Sequence, residues 1–259
     1  DSNAGQVRVW SGADIAASPI DDQYTNAIVV WDGDENDGRL GESVAIVGDT
    51  DGDGLTDLAA IASESDFYGL DVGRPYHWSN GVGTGLDLEG EPAGDKSGNS
   101  VGWLEATGDG IMDVVAGAPQ TYHSIEGTLA GSLDIFTGDA TGSFGAQFGV
   151  NEPSELTSYD RFAEYLSTES DFNGDGYKDL AVGTRGMPTP GTYDASYDNP
   201  EGCIEDLGDN GSVSSYLGGP TGLTVDASFL WFTTDPHSNI EALAGGFDFN
   251  GDGYQDVVV

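Results

Sequence analysis

The chain has 259 residues, with 46 Asp and Glu against 7 Lys and Arg, giving a formal net charge of −39. That surplus opposes binding to nucleic acid or anionic membranes and favours cations or basic partners. One cysteine, Cys203, cannot form an internal disulfide, and no apolar run is long enough to span a bilayer as a helix.

In chain order, the first predicted elements are strands at residues 5–12 and 27–31. An acidic connection, Asp32-Gly-Asp34-Glu35-Asn36-Asp37, reads as a solvated turn, with an additional cation site as the alternative. Gly41 to Gly48 then leads into an acidic loop, Asp49-Thr-Asp51-Gly-Asp53-Gly-Leu55-Thr-Asp57, followed by the apolar run 58–61 and a hairpin at 75–86. The same order returns as a lead-in at 98–104, the loop Glu105-Ala-Thr107-Gly-Asp109-Gly-Ile111-Met-Asp113, an apolar run to Pro119 and a hairpin at 131–142. A third round has the lead-in 161–166 and the loop Asp171-Phe-Asn173-Gly-Asp175-Gly-Tyr177-Lys-Asp179. An apolar run to Gly183, an enlarged connection at 185–210 and a hairpin at 211–223 complete it. The last round stops early, after the lead-in 240–246, the loop Asp248-Phe-Asn250-Gly-Asp252-Gly-Tyr254-Gln-Asp256 and Val257 to Val259.

The loop is the most chemically specific element. Three intact copies place oxygen side chains at positions 1, 3, 5 and 9 and glycines at 4 and 6. Calcium takes six to eight oxygen ligands, and alternate residues of a tight loop can converge on one point. Glycines permit the positive φ that such a turn demands. The expected ligands are Asp49, Asp51, Asp53, the Leu55 carbonyl and Asp57; Asp171, Asn173, Asp175, the Tyr177 carbonyl and Asp179; and Asp248, Asn250, Asp252, the Tyr254 carbonyl and Asp256. The copy with Glu105, Thr107, Asp109, Ile111 and Asp113 has Glu and Thr at positions 1 and 3, leaving aspartates at 5 and 9. It reads first as a structural turn and second as a fourth site. An EF-hand is excluded, because position 12 is Ala60, Val182 or Val259 inside an apolar strand, where a bidentate Glu and a helix are needed.

Each round holds about four short strands separated by Gly, Asp and Asn turns, at a drifting period of roughly 55 to 80 residues. That pattern predicts an all-β fold, a β-propeller of four-stranded blades. The units resemble FG-GAP repeats, the blades of integrin α subunits and of many bacterial secreted proteins. The resemblance is carried by Leu40-Gly41-Glu-Ser43-Val-Ala45, the acidic loop, and Gly117-Ala-Pro119. It implies one propeller region over 1–259, with units near 1–40 (partial), 41–97, 98–160, 161–239 and 240–259 (partial). The first unit lacks its two inner strands and the last its two outer ones. Either the ends complete a fourth blade together, or the chain is an arc of a larger ring; FG-GAP propellers resemble seven-bladed rings, which favours the arc.

No phosphate loop or zinc motif is present, and His77, His123 and His237 lack ligand spacing. Trp10, Trp31, Trp78, Trp103 and Trp231 fall mostly on predicted strands, as packing between blades. The segment 185–210 is either a variable insertion or a partner-binding loop, and Asn210-Gly-Ser212 matches a glycosylation sequon. The expected function is a non-catalytic, calcium-stabilised binding, adhesion or surface-assembly module. It would be secreted or surface-displayed and meet a protein or glycan ligand. The alternative is a non-catalytic propeller module of a larger secreted enzyme, such as a polysaccharide-degrading one. A start at Asp1 fits a removed leader, and the scarcity of Lys suits a high-salt setting.

Overall fold

A computed structural model describes residues 3–13, 27–34, 36–49, 54–62, 73–79, 82–85, 99–119, 122–123, 128–129, 131–139, 144–150, 153, 161–185, 211–233 and 239–259. The segment 186–210, with Cys203 and Asn210, lies outside them, as do Asp51, Asp53 and His237.

The chain is all-β, and its repeating unit is the four-stranded antiparallel blade of a β-propeller. The first strands, β1 (Gln6–Trp10) and β2 (Ala27–Asp32), form a two-stranded sheet. The first full blade is β3 (Leu40–Gly48), β4 (Asp57–Ala62), β5 (Arg74–Ser79) and β6 (Val82–Gly85), in that order. The second is β7 (Ser100–Leu104) and β8 (Asp113–Ala118), then β11 (Ser132–Gly138) and β12 (Phe144–Gly149). A small hairpin, β9 (Tyr122–His123) and β10 (Thr128–Leu129), stands between β8 and β11. The third blade is β13 (Tyr165–Ser170), β14 (Asp179–Thr184), β15 (Ser212–Tyr216) and β16 (Phe229–Phe232). A last pair, β17 (Ala244–Phe247) and β18 (Asp256–Val258), forms its own two-stranded sheet, separate from β1 and β2.

Why the second strand of each blade is so apolar follows from its position. β8 and β14 are buried at every residue, because blades cover both their faces. The core is accordingly a series of layers between blades. Ala59 and Ile61 meet Val114, Ala116 and Phe136 between the first and second blades. Val115, Leu133 and Ile135 meet Leu180, Val182 and Tyr216 between the second and third. Truncating a fully buried member such as Ile135 to Ala removes about 2–5 kcal/mol. Trp31 and Trp78 pack 4.7 Å apart, and Trp78 and Trp103 are buried, as expected of packing between blades. Trp10 and Trp231 are exposed at the outer strands.

The inner strands β3, β7, β13 and β17 stand side by side, each meeting the next, and border a cavity of about 400 Å3. Their approach depends on glycine. A Cβ on Gly102 would lie 2.5 Å from Thr168 Cγ2, and the neighbouring Trp103 N–H donates to Thr168 Oγ1 at 3.3 Å. One joint recurs between successive blades: Gly5 bridges Leu40 in parallel, and Gly131 bridges Phe162. β1 therefore occupies the place that β11 occupies in the second blade, that of a third strand.

Candidate metal centres

All the acidic loops join the first strand of a sheet to the second, so they lie at one end of the blades. The loops 171–179 and 248–256 are described in full and are built alike. Asp171 Oδ1 accepts the N–H groups of Gly174 and Asp175 at 2.7 and 3.1 Å, and its Oδ2 accepts that of Gly176 at 2.9 Å. Asp248 repeats this with Gly251, Asp252 and Gly253 at 2.6, 3.1 and 2.9 Å. The amide of Asn173 donates to Asp175 Oδ2 at 2.9 Å, and that of Asn250 to Asp252 Oδ2 at 3.0 Å. The position-5 carboxylates accept from Tyr177 N and Tyr254 N, each at 2.9 Å. Gly174, Gly176, Gly251 and Gly253 have φ of 73°, 93°, 78° and 92°, the left-handed turn that the glycines at positions 4 and 6 were expected to make.

Position 9 has a second role that spacing alone did not reveal. Asp179 is fully buried; its Oδ2 accepts Phe172 N–H at 2.6 Å, and its Oδ1 accepts Gly218 N–H, from beyond β15, at 2.8 Å. Asp113 does the same with Ala106 and Gly138, at 2.7 and 2.9 Å. One carboxylate thus pins the start of the loop to the end of the third strand. Burial raises the pKa of both acids against the pull of those N–H groups. Asp248, at the exposed loop, is lowered instead, chiefly by the Gly253 N–H. Asp256 accepts Phe249 N–H at 2.7 Å, in a sheet that has two strands among the described residues.

In the first loop, Asp49 Oδ2 accepts Gly54 N–H at 2.8 Å, the position 1 to position 6 contact of the other copies. Asp57 is buried and lies 3.7 Å from His77 Nε2, whose ring packs on Trp103 and Phe144. His77 therefore has a packing role beside position 9. The eroded copy keeps the turn with other atoms. Glu105 Oε1 accepts the N–H groups of Gly108 and Asp109, Asp109 Oδ1 accepts Ile111 N–H at 2.8 Å, and Gly108 and Gly110 have φ of 82° and 83°. This loop is also docked on the β15–β16 connection, where Leu223 N–H donates to Ala106 O at 2.9 Å.

The acidic connection 32–37 is tied to β5: Tyr76 OH donates to Asp34 Oδ1 at 2.7 Å, and Arg74 Nη1 lies 3.6 Å from Asp34 Oδ2. At the blade end remote from the loops, Glu164 Oε1 lies 3.6 Å from Arg161 Nη1 and 3.4 Å from Arg185 Nη1.

The side-chain donors of the loops 171–179 and 248–256 are all oxygen, three carboxylates and one amide each, which is the chemistry a hard divalent cation takes. Among the described residues no group of three or more His, Cys, Asp or Glu side chains is gathered so as to hold a metal. Two carboxylates about 4 Å apart repel by about 4 kcal/mol at an effective dielectric near 20. Convergence of the acids is thus opposed by their own charge.

Curated relatives match the chain over most of its length. Integrin alpha-PS2 of Drosophila melanogaster is 28% identical over 234 residues, 86% of this chain and 15% of that protein. Integrin alpha pat-2 of Caenorhabditis briggsae is 26% identical over 268 residues, 98% of this chain and 20% of the relative. Integrin alpha-IIb of Homo sapiens is 28% identical over 240 residues, 86% and 20%. Over most of its length the chain is similar to integrin α subunits. No protein-family model matches it. It spans a fifth or less of the length of these relatives. No helix among the described residues is long and apolar enough to cross a membrane.

Proposed function

We propose that this chain is an extracellular binding or adhesion module, without catalysis of its own, whose blades are held by calcium in the three intact loops. The observation that carries the calcium reading is the repetition, contact for contact, of one hydrogen-bonded loop at 171–179 and 248–256. Each repeats an all-oxygen donor set at the same end of a blade. The ligands would be Asp171, Asn173, Asp175, the Tyr177 carbonyl and Asp179, and the corresponding atoms of Asp248, Asn250, Asp252, Tyr254 and Asp256. Asp49, Asp51, Asp53, Leu55 and Asp57 would supply the first site. The copy at 105–113 is assigned a structural role, since its turn is closed by Glu105 and docked on residues 222–223.

Calcium joins the two inner strands of a blade and neutralises acids that otherwise repel. A site with a dissociation constant near 0.1 mM stabilises the fold by about 1.4 kcal/mol at about 1 mM calcium. Three such sites contribute about 4 kcal/mol, a large part of ordinary domain stability. The resemblance to integrin α subunits supports a binding or adhesive role at the cell surface or in an extracellular assembly, with a protein or glycan partner.

Thermal unfolding in calcium, in EDTA, and in EDTA with concentrated sodium chloride tests the metal. A rise in Tm with calcium that salt does not reproduce is expected, and recovery by salt alone would reduce the acids to a generally screened surface. Retention of extracellular proteins and polysaccharides on the immobilised chain, with calcium and with EDTA, tests the binding role. Calcium-dependent capture of one class is expected; equal failure on both classes in calcium counts against an adhesive role.

A further inference from the structure

We infer that the loops 171–179 and 248–256 are coupled through Gln255, so that an ion in one favours an ion in the other; this rests on reading both loops as calcium sites. Gln255 is position 8 of the downstream loop, between the expected ligand positions Tyr254 and Asp256. Its N–H donates to Asp171 O at 3.2 Å, and its side-chain Oε1 accepts Asp171 N–H at 2.7 Å. The residue that opens the upstream loop is therefore clasped on both of its backbone polar groups by one residue 84 positions later. Tyr254 adds a second contact: a Cβ on Gly174 would lie 3.2 Å from Tyr254 Cε1. Positions 1 and 4 of the upstream loop thus rest on positions 8 and 7 of the downstream one.

Position 8 differs elsewhere. It is Thr56 in the first loop and Met112 in the eroded one. Lys178, its counterpart in the third copy, donates to Glu169 O within its own blade. Beside the clasp, Gly246 N–H donates to Ser170 Oγ at 2.8 Å, which anchors β17 on the strand that runs into Asp171. An ion bound at positions 7 and 9 of the downstream loop immobilises Gln255 from both sides. Gln255 then fixes Asp171, whose carboxylate gathers three backbone N–H groups of its own loop. Ordering already supplied by one ion need not be supplied by the next, and such coupling is reciprocal.

The test uses the full chain and reads amide hydrogen exchange at Gly174 and Gly176 through a calcium titration, which reports the upstream loop alone. Asp252→Ala disables the downstream loop. It should raise the calcium midpoint at Gly174 and Gly176 about fivefold or more, within the usual range of coupling between sites. In a Gln255→Met background, which leaves the backbone bond to Asp171 O and the Tyr254 contact, Asp252→Ala should produce a clearly smaller shift, while Gln255→Glu, which keeps the acceptor, should keep the full response. Tyr254→Leu, on an exposed side chain, is a second way to loosen the clasp and should weaken the response in part. An unchanged midpoint in Asp252→Ala, or a full response surviving Gln255→Met, overturns the coupling and leaves the calcium reading intact. Absence of calcium-dependent protection at both loops overturns that reading, and the coupling with it.

Discussion

The loops at 105–113 and 171–179 fold alike and differ in what closes them. Both turn on two glycines at positive φ, and both bury the position-9 aspartate between the start of the loop and the third strand. At 171–179, positions 3 and 5 carry Asn173 and Asp175, exposed and bonded to one another. At 105–113, position 3 is Thr107, and the turn leans instead on the connection beyond β15. The comparison separates two functions of one motif. Position 9 and the glycines make the shape in both, while position 3, an amide at Asn173 and a hydroxyl at Thr107, is where the two differ.

The largest effect should come from position 9. Asp179→Ala leaves the N–H groups of Phe172 and Gly218 without their acceptor in a buried place, a loss of about 2–5 kcal/mol. Asp113→Ala should lose a similar amount through Ala106 and Gly138. Urea unfolding with and without calcium checks both. The Asp113→Ala deficit should be the same in EDTA, because the eroded loop is read as needing no ion. A deficit that appears only with calcium would make 105–113 a fourth site and dissolve the contrast.

Position 5 should behave in the opposite way. Asp175→Ala removes an exposed side chain and the acceptor of Tyr177 N–H, so in EDTA it should lose about 0.5–1.5 kcal/mol, as Asp109→Ala does. At about 1 mM calcium it should lose about 1.4 kcal/mol more, the stabilisation of one site. Asp109→Ala, its counterpart, should lose the Ile111 N–H contact in both conditions, with no calcium dependence. Equal deficits for Asp175→Ala with and without calcium would leave that loop a turn like its neighbour.

How much of this could be read from residues alone varied with the physical cause. The loops and their glycines were legible because side-chain chemistry and φ requirements sit in consecutive positions. The buried second strands were legible as unbroken apolar runs. The lead-in was harder. Leu40-Gly41 marks it in the first blade, where Gly41 has φ of 94° and Arg39 φ of 55°. In the third blade the same bend is made by Ala163 and Arg161, at φ of 64° and 54°, without the glycine that would have signalled it. What persists is Arg-x-x-Glu: Arg39 lies 4.0 Å from Glu42, and Arg161 lies 3.6 Å from Glu164. That spacing was visible in the sequence and carries the repeat where the glycine is lost. The second role of position 9, the His77 contact with Asp57 and the Gln255 clasp were not legible. Each depends on a partner from a strand or blade far along the chain, whose register no local pattern states.

Glu164 offers the smallest effect and tests the end of the blade remote from the loops. Burial raises its pKa above the ordinary value, against the pull of Arg161 and then Arg185. A carboxyl whose folded pKa is raised holds its proton longer in the folded chain than in the unfolded one. Its contribution to stability is therefore full below the unfolded pKa, near 4.5, and is lost as pH rises through the folded value. In EDTA, where the loops hold no calcium, Glu164→Gln should flatten that part of the stability curve above pH 4.5 relative to the unsubstituted chain. Urea unfolding across that range reads the difference directly. A variant curve that falls as steeply as the original would place the titration elsewhere among the acids of the chain. One that falls more steeply would mean that the two arginines, and not burial, govern Glu164.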